Sequence, residues 1–180
     1  FRYTIASNLP ENKDTDFYWK DFQARTNNEL ADIFGNFINR TLTFVAKNFG
    51  NTVPKRGALS RLDKEMIDYI EQSPAAIADL IERFKFRDAT MEMMNVARTA
   101  NKYFNDKEPW KAVKEKPNDA ANCLYLCNQL AKTLSIILSP YIPVKAPQIM
   151  ETLNLQDIDT SNWDRAAEFI PAGHKINRAK

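Results

Sequence analysis

The 180-residue chain is poor in glycine and in histidine. Its four glycines, Gly35, Gly50, Gly57 and Gly173, lie too far apart for the closely spaced glycines of dinucleotide-binding and P-loop motifs. His174 is the single histidine, which excludes a catalytic pair of histidines, and no serine stands in a nucleophile-elbow context. We therefore expect no catalytic residue in this chain.

Cysteine is scarce as well, with only Cys123 and Cys127. They stand four residues apart in a helical pattern, which is the wrong spacing for a zinc hairpin and poor geometry for a disulfide within one helix. We predict reduced thiols in the core and a cytoplasmic location. The acidic residues of Asp14-Thr15-Asp16 are better explained as a helix cap than as a metal site, so no metal is expected.

Long apolar runs and a strong net charge are also missing. No apolar segment approaches the length that spans a bilayer, so we expect no contact with a membrane. The net charge is +2, with 27% charged residues of both signs, which gives the chain no overall attraction to nucleic acid. Any basic binding site must therefore be local.

Apolar residues recur at spacings of three and four, which predicts amphipathic helices and an all-α antiparallel helix bundle. Ser73-Pro74 is expected to separate two helices, since serine suits a cap and proline suits the first turn. Met91, Met94 and Ala97 are expected to form a buried stripe. The predicted helices run from just after residues 14–16 to Phe49–Gly50, and over about 62–72, 75–85, 86–104, 120–138 and 144–153.

The bundle is expected to occupy residues 1–156 and to be followed by a tail, residues 157–180, that packs back on it. Trp163 is most simply the anchor of that tail. A chain of this length with 44% hydrophobic residues can bury one sizeable core, which agrees with a single domain.

Asn36, Arg40 and Lys47 fall on one flank of the helix that ends near Gly50, away from its apolar stripe. The asparagine amide offers a donor and an acceptor, and the arginine offers a planar cation, so the pair suits a base edge and a phosphate. Polar pairs at this spacing also occur where a helix simply faces water. The residues alone leave both interpretations open.

Trp110 follows Pro109 at the predicted start of a helix and is flanked by Lys107, Lys111 and Lys114. An indole beside cations can stack on an unpaired base, and the alternative is a tryptophan that folds onto its own bundle. Just upstream, Phe104 is expected to pack inward, and Asn101 is expected to order the Pro109 loop by hydrogen bonding.

Four short motifs follow one another along the chain: Asp21-Phe22-Gln23-Ala24-Arg25-Thr26-Asn27, Gly35-Asn36-Phe37-Ile38-Asn39-Arg40, Ala100-Asn101-Lys102-Tyr103 and Pro109-Trp110. In this order and spacing they resemble the anticodon-binding domain of bacterial methionyl-tRNA synthetase. A closing segment, residues 173–177, resembles the end of that domain, so the resemblance covers essentially the whole chain.

The resemblance implies a class I aminoacyl-tRNA synthetase bundle that recognises the CAU anticodon of tRNA(Met). In that family the residues matching Asn36, Arg40 and Trp110 recognise the anticodon, and Pro109 shapes the turn. By the same resemblance, Asn101 supports the site. The lysines Lys47, Lys107 and Lys111 are expected to make supporting or peripheral RNA contacts.

The same resemblance implies a parent enzyme that uses ATP with Mg to attach methionine to its tRNA. The His-x-Gly-His and Lys-Met-Ser-Lys-Ser motifs of its Rossmann catalytic domain are absent here, as is the zinc knuckle of many members. Residues 1–16 are expected to be the junction with that catalytic half. No cofactor is expected in this chain itself.

Two alternatives remain open from the sequence. The first is the equivalent bundle of another class I synthetase, for cysteine or for a branched aliphatic amino acid, although the Asn36, Arg40 and Pro109-Trp110 set argues against it. The second is a helical protein-interaction module whose Met- and Phe-bearing grooves bind partner helices. An apolar groove without a basic surface beside Trp110 would favour the interaction module.

Overall fold

A computed structural model describes residues 1–11 and 14–177. The described part is helical and contains no β-strand beyond an isolated bridge between Thr52 and Lys175. The helices are α1 (Arg2–Ala6), α2 (Trp19–Ala24), a π-helical segment (Arg25–Gly35), α3 (Asn36–Phe49), α4 (Arg61–Glu82), α5 (Phe86–Lys107), α6 (Pro109–Glu115), α7 (Pro117–Leu138), α8 (Lys145–Thr152) and a 3-10 turn (Trp163–Ala166).

The centre of the bundle is α7, which packs against α3, α4, α5, α6 and α8. Every residue of α7 from Asn122 to Leu138 is buried, so this helix is surrounded by the others on all sides. Short connections join α4 to α5 and α6 to α7, and these helices pack against each other. The predicted all-α helix bundle is therefore confirmed.

The long N-terminal helix begins later than predicted and contains an unexpected π-helical segment. Asp14-Thr15-Asp16 does not cap it, because Tyr18 is the N-cap residue and the Thr15 hydroxyl donates to the carbonyl of Asn8 instead. In the π-helical segment the Asn36 N–H donates to Ala31, five residues back. The predicted end is confirmed, since Gly50 adopts a left-handed φ of 56°.

The predicted break at Ser73-Pro74 is wrong, because α4 continues through both residues. Proline removes one backbone donor and disturbs the preceding turn. Here Ile70, Pro74 and Ile77 are buried on the face that α4 turns to its neighbours, and this packing holds the helix together. The helix begins instead with a capping box at Ser60.

The predicted methionine stripe on α5 is only partly correct. Met94 and Ala97 are buried, but Met91 is exposed. Met94 lies at the edge of the buried face of α5, and Met91 lies about 60° further round the helix, outside that face. Met93 occupies the core position instead.

Residues after α8 are joined to the bundle by hydrogen bonds to side chains and to the backbone. The Gln129 side chain on α7 accepts from the N–H of Ile170, and the Val53 N–H donates to the carbonyl of His174 at 2.8 Å. Trp163 packs against the core, as its predicted anchoring role requires. The division at residues 156 and 157 and the junction at residues 1–16 stay predictions, and residues 178–180 lie outside the described part.

Candidate nucleic-acid interface

A cavity of about 640 Å³ opens between α3 on one side and the α5–α6 turn on the other. Its floor is apolar and its rim is polar or positively charged. The lining residues are Asn39, Arg40, Thr43, Phe44, Lys47, Asn48, Phe104, Trp110, Val113 and Lys114. Elements distant in sequence therefore meet here, and the cavity contains three of the residues predicted to bind RNA.

Arg40 is held in a defined position on the wall of this cavity. Its guanidinium lies 4.4 Å from the centre of the Phe104 ring, and its Nη2 donates to Asn105 Oδ1 at 2.8 Å. Neither partner carries a negative charge, and no ion pair to Arg40 occurs within residues 1–11 and 14–177. The full cationic charge of Arg40 thus remains available to a ligand.

Trp110 is placed by a sharp turn between α5 and α6. Glu108 adopts a left-handed φ of 41°, and the buried Pro109 starts α6 at the position where a missing N–H is tolerated. The Trp110 indole leans on Phe104, with ring centres 6.2 Å apart, yet remains 42% exposed. One part of the indole therefore packs on the bundle while the other faces the cavity.

Asn36 and Lys47 extend the polar surface along α3. Asn36 is exposed one turn before Arg40, and its side chain makes no hydrogen bond within the described part of the chain. It lies outside the lining of the cavity, whereas Lys47 contributes to the rim. Asn39 lines the cavity in the position that the sequence suggested for Asn36.

The structure places Lys107 and Lys111 differently from their expected RNA contacts. The Lys107 ammonium group is turned inward and lies 2.9 Å from the buried carboxylate of Asp63, so it is not free to bind RNA. Lys111 is exposed but pairs with Glu108 at 2.8 Å, and this hydrogen bond raises the pKa of Lys111. Lys114, one turn further along α6, lines the cavity instead.

The hydrogen bonds of Asn101 differ from the one predicted for it. Its Nδ2 donates to the carbonyls of Ile33 and Ala97, at 2.9 and 3.0 Å. Within residues 1–11 and 14–177, Asn101 makes no hydrogen bond to Pro109 or to the turn before it. Asn101 therefore ties α5 to the π-helical segment that leads into α3, and it helps to set the distance between the two walls of the cavity.

Sequence reasoning missed Asn105 and Phe44 as parts of the site, and it named Lys114 only as a cation that flanks Trp110. Phe44 was discoverable, since it follows Arg40 by one helical turn and could share its face. Asn105 lacked any signal of its own, because its role depends on Arg40 coming from another helix.

The arrangement joins an aromatic floor with positive charge. Arg40, Lys47 and Lys114 are the charged residues among those that line the cavity, and no carboxylate lies among them. A flat aromatic ligand can stack on an exposed indole, and an adjacent phosphate can bind arginine or lysine. The cavity thus suits an unpaired base and its neighbouring phosphate.

Comparison with known families agrees with this geometry. A family model described as the anticodon binding domain of methionyl tRNA ligase matches residues 53–180. The chain belongs to this family. A second model, described as tRNA synthetases class I (M), matches residues 1–42. Both matches favour the methionyl family over a synthetase for cysteine or for a branched aliphatic amino acid.

The chain is also similar in sequence to individual methionine--tRNA ligases over nearly its whole length. Methionine--tRNA ligase of Methanobrevibacter smithii is 51% identical over 179 residues, and that of Methanosphaera stadtmanae is 46% identical over 191. Each alignment covers 99% of this chain but only 27% and 28% of the relative. This chain therefore spans about a quarter of the length of the curated relatives it matches.

A solved structure supports the fold of the methionyl-tRNA ligase domain. The free-state methionyl-tRNA synthetase of Mycobacterium tuberculosis aligns with a TM-score of 0.91 and 21% identity. The alignment covers 99% of this chain and 37% of that chain. At this identity the likeness concerns the fold.

Residues 1–11 and 14–177 contain neither a membrane-spanning helix nor a cluster of metal-ligating side chains. No helix combines the length and the apolar character needed to span a membrane. No group of three or more histidine, cysteine, aspartate or glutamate side chains is arranged to hold a metal ion. Cys123 and Cys127 are buried free thiols, as predicted.

Proposed function

We propose that this domain binds the anticodon loop of tRNA(Met) and recognises its CAU anticodon. The observation that carries the proposal is the cavity in which the exposed Trp110 stands beside Arg40, Lys47 and Lys114 without a lining carboxylate. Membership of the methionyl-tRNA ligase anticodon-binding family supports the choice of RNA.

The two walls of the cavity contribute different contacts: the α5–α6 turn provides stacking, and α3 provides hydrogen bonds and charge. Bases in an anticodon loop are unstacked, so one of them can stack on the Trp110 indole. Arg40 supplies a planar donor for a phosphate or a base edge, and Asn36 offers a free amide one turn away on α3. Pro109 and Asn101 hold the walls in place, and Lys47 and Lys114 bind the backbone.

In the parent enzyme, binding of the anticodon loop would orient the tRNA. The acceptor end of the tRNA would then reach a Rossmann catalytic domain of the same polypeptide. That enzyme would attach methionine to tRNA(Met) in the cytoplasm, using ATP with Mg. A zinc knuckle, where the parent has one, would belong to the catalytic half. The bundle contributes binding energy and discrimination to the reaction, and its own residues carry out no bond-making step.

The protein-interaction alternative is disfavoured by the charge around Trp110. An exposed apolar groove without a basic surface was its expected signature. The observed cavity has three cations at its edge, which suit an RNA better than an apolar helix.

Replacing Trp110 with alanine is expected to weaken binding of an anticodon stem-loop by about 1–3 kcal/mol, roughly 5- to 150-fold in Kd, because the stacking platform is lost. Trp19→Ala is the matched control, since Trp19 is also exposed but lies outside the cavity. Binding is measured by titration at fixed salt, together with the melting temperature. Equal affinity of both variants and the wild type would contradict the proposal.

A further inference from the structure

A fully buried carboxylate lies beneath the α5–α6 turn. Asp63, in the first turn of α4, has no exposed surface. Its Oδ1 accepts a hydrogen bond from the Tyr103 hydroxyl at 2.6 Å and lies 2.9 Å from the Lys107 ammonium nitrogen. Its Oδ2 accepts from the N–H and the hydroxyl of Ser60, both at 2.8 Å. Asp63 thereby joins the start of α4 to the last turn of α5.

The residues that Asp63 holds alternate with residues of the cavity. Tyr103 and Lys107 face inward to Asp63, whereas Phe104 and Asn105 between them support Arg40. One residue after Lys107 the chain reverses and starts α6, which carries Trp110. A shift in the last turn of α5 would therefore move the α5–α6 wall of the cavity, and Trp110 with it, relative to Arg40 on α3.

The segment before Asp63 is itself fixed to the core. The Asn122 side chain on α7 accepts from the Gly57 N–H at 2.8 Å and donates to the Ala58 carbonyl at 2.7 Å. These bonds fix the loop that leads to Ser60. The path of contacts thus runs from the buried helix α7, through the α3–α4 loop and Asp63, to the end of α5.

We propose that Asp63 is a positioning residue for RNA recognition: by holding Tyr103 and Lys107 it fixes the α5–α6 turn and, with it, the placement of Trp110 relative to Arg40. This inference rests on the proposed function, because it assigns Asp63 a role in that same cavity. Asp63 acts through other residues and does not contact the RNA.

The ionised form of Asp63 is the one that performs this role. Burial alone would raise the pKa of the Asp63 carboxyl, but hydrogen bonds from Tyr103, Lys107 and Ser60 outweigh burial and lower that pKa. A buried carboxylate and ammonium also depend on each other, since removal of one leaves the other uncompensated. Asp63→Asn therefore loosens Lys107 as well.

The proposal is tested by fluorescence in a protein whose sole tryptophan is Trp110, because Trp19 and Trp163 are replaced by phenylalanine. In this background Asp63→Asn is expected to remain folded by circular dichroism at low temperature. Its Trp110 emission should shift to the red and acrylamide should quench it more strongly. The affinity for a CAU stem-loop should fall about tenfold. Tyr103→Phe, which removes one hydrogen bond to Asp63, gives a smaller change of the same kind and serves if Asp63→Asn fails to fold.

Two further variants separate positioning from stability. Thr133→Ala removes a buried hydrogen bond to the Ala166 carbonyl, far from the α5–α6 turn, and should lower the melting temperature without affecting Trp110 quenching or RNA affinity. The double variant Asp63→Asn, Lys107→Met removes both charges and should regain melting temperature but not affinity. Asp63→Asn with unchanged quenching and affinity, and only a lower melting temperature, would overturn the proposal.

The two readouts distinguish this inference from the proposed function. If the wild type fails to bind the stem-loop, anticodon recognition is contradicted, whereas the quenching of Trp110 still decides whether Asp63 positions the turn. If the wild type binds and Asp63→Asn binds equally well, the positioning role alone is wrong.

Discussion

Phe104 is the residue on which the two walls of the cavity meet. Its ring is buried and contacts the Arg40 guanidinium, the Trp110 indole and the ring of Phe44. A guanidinium that is already stacked and hydrogen-bonded to Asn105 loses less conformational freedom when a ligand arrives. Arg40 is therefore preorganised for binding while it remains partly exposed to solvent.

Removal of the Arg40 charge should change how binding responds to salt. For Arg40→Ala we expect weaker stem-loop binding and a plot of log K against log salt that is shallower by about 0.7, the amount for one lost phosphate contact to single-stranded RNA. Arg98→Ala on α5 is the control, because Arg98 is exposed outside the cavity. An unchanged slope for Arg40→Ala would exclude a phosphate contact. Arg40 would then either contact a base edge or make no contact with the RNA.

For single residues, the sequence predicted which side chains point away from the core better than it predicted which residues they contact. Arg40 and Lys47 were placed on the flank of α3 away from its apolar stripe, because helical spacing alone decides that question. For Trp110 the sequence left exposure and packing on the bundle open, and the structure shows both. Lys107 was assigned to RNA, yet its partner is Asp63 on another helix. Which of several neighbouring lysines is free depends on packing between helices, and local sequence does not contain that information.

At the scale of elements, strong periodicity and special termini were predictable. The helix predicted for 144–153 is α8, and the turn at Gly50 is present. The continuation of α4 through Pro74 was not predictable, because burial of one face of α4 outweighs the local effect of proline on the helix. The π-helical segment was missed too, although Gly35 suits it: a Cβ there would stand 3.1 Å from the Leu30 carbonyl oxygen.

The end of α4 contains a strained residue whose replacement should stabilise the protein. Phe84 adopts a left-handed φ of 57°, and the bonds Phe84 N–H to Ile81 and Lys85 N–H to Leu80 form a Schellman motif. Glycine is the residue preferred there, and left-handed backbone costs other residues about 1 kcal/mol. Phe84→Gly should therefore raise the free energy of unfolding by up to about 1 kcal/mol in urea titrations.

Gly50→Ala is the reciprocal control for this prediction. It places a Cβ at a left-handed position with open space around it, so only backbone strain changes. The free energy of unfolding should fall by about 1 kcal/mol. A loss of stability in Phe84→Gly as well would mean that the Phe84 contact with Phe86 outweighs the strain.

At the scale of the molecule, the bundle was predictable because apolar periodicity is repeated in most helices. The cavity was not predictable from the residues alone, since α3 and the α5–α6 turn are distant in sequence. Resemblance to a known family brought Asn36, Arg40 and Trp110 together before any geometry was known. The structure then added Asn105 and Asp63, which no short motif had indicated, and it showed that the inward-packed Phe104 contacts both Arg40 and Trp110.

The packing of residues 163–170 on α7 should be visible in the pH dependence of stability. Lys132 on α7 is buried and donates to the Glu168 carbonyl, and burial lowers its pKa from 10.5 to about 8. Between these values the unfolded chain binds more protons, so this group makes the fold more stable as pH rises from 8. The gain is up to about 1.4 kcal/mol per pH unit.

Lys132→Met should abolish this contribution. The difference in free energy of unfolding between wild type and Lys132→Met, measured in urea at pH 7.5 and 9.5, should grow in favour of the wild type. Comparison of the two proteins cancels the titration of Cys127 and the tyrosines, which both contain. A difference that stays constant over this range would show that Lys132 has an ordinary pKa.

The central claim is that this domain reads the anticodon, and discrimination between two RNA hairpins tests it most directly. Tryptophan fluorescence is titrated with a stem-loop bearing CAU and with the same hairpin carrying a changed wobble base, at two salt concentrations. We expect tighter binding of CAU, with weaker binding of both hairpins at higher salt. Equal affinity for the two hairpins, or no binding of either, would contradict the account.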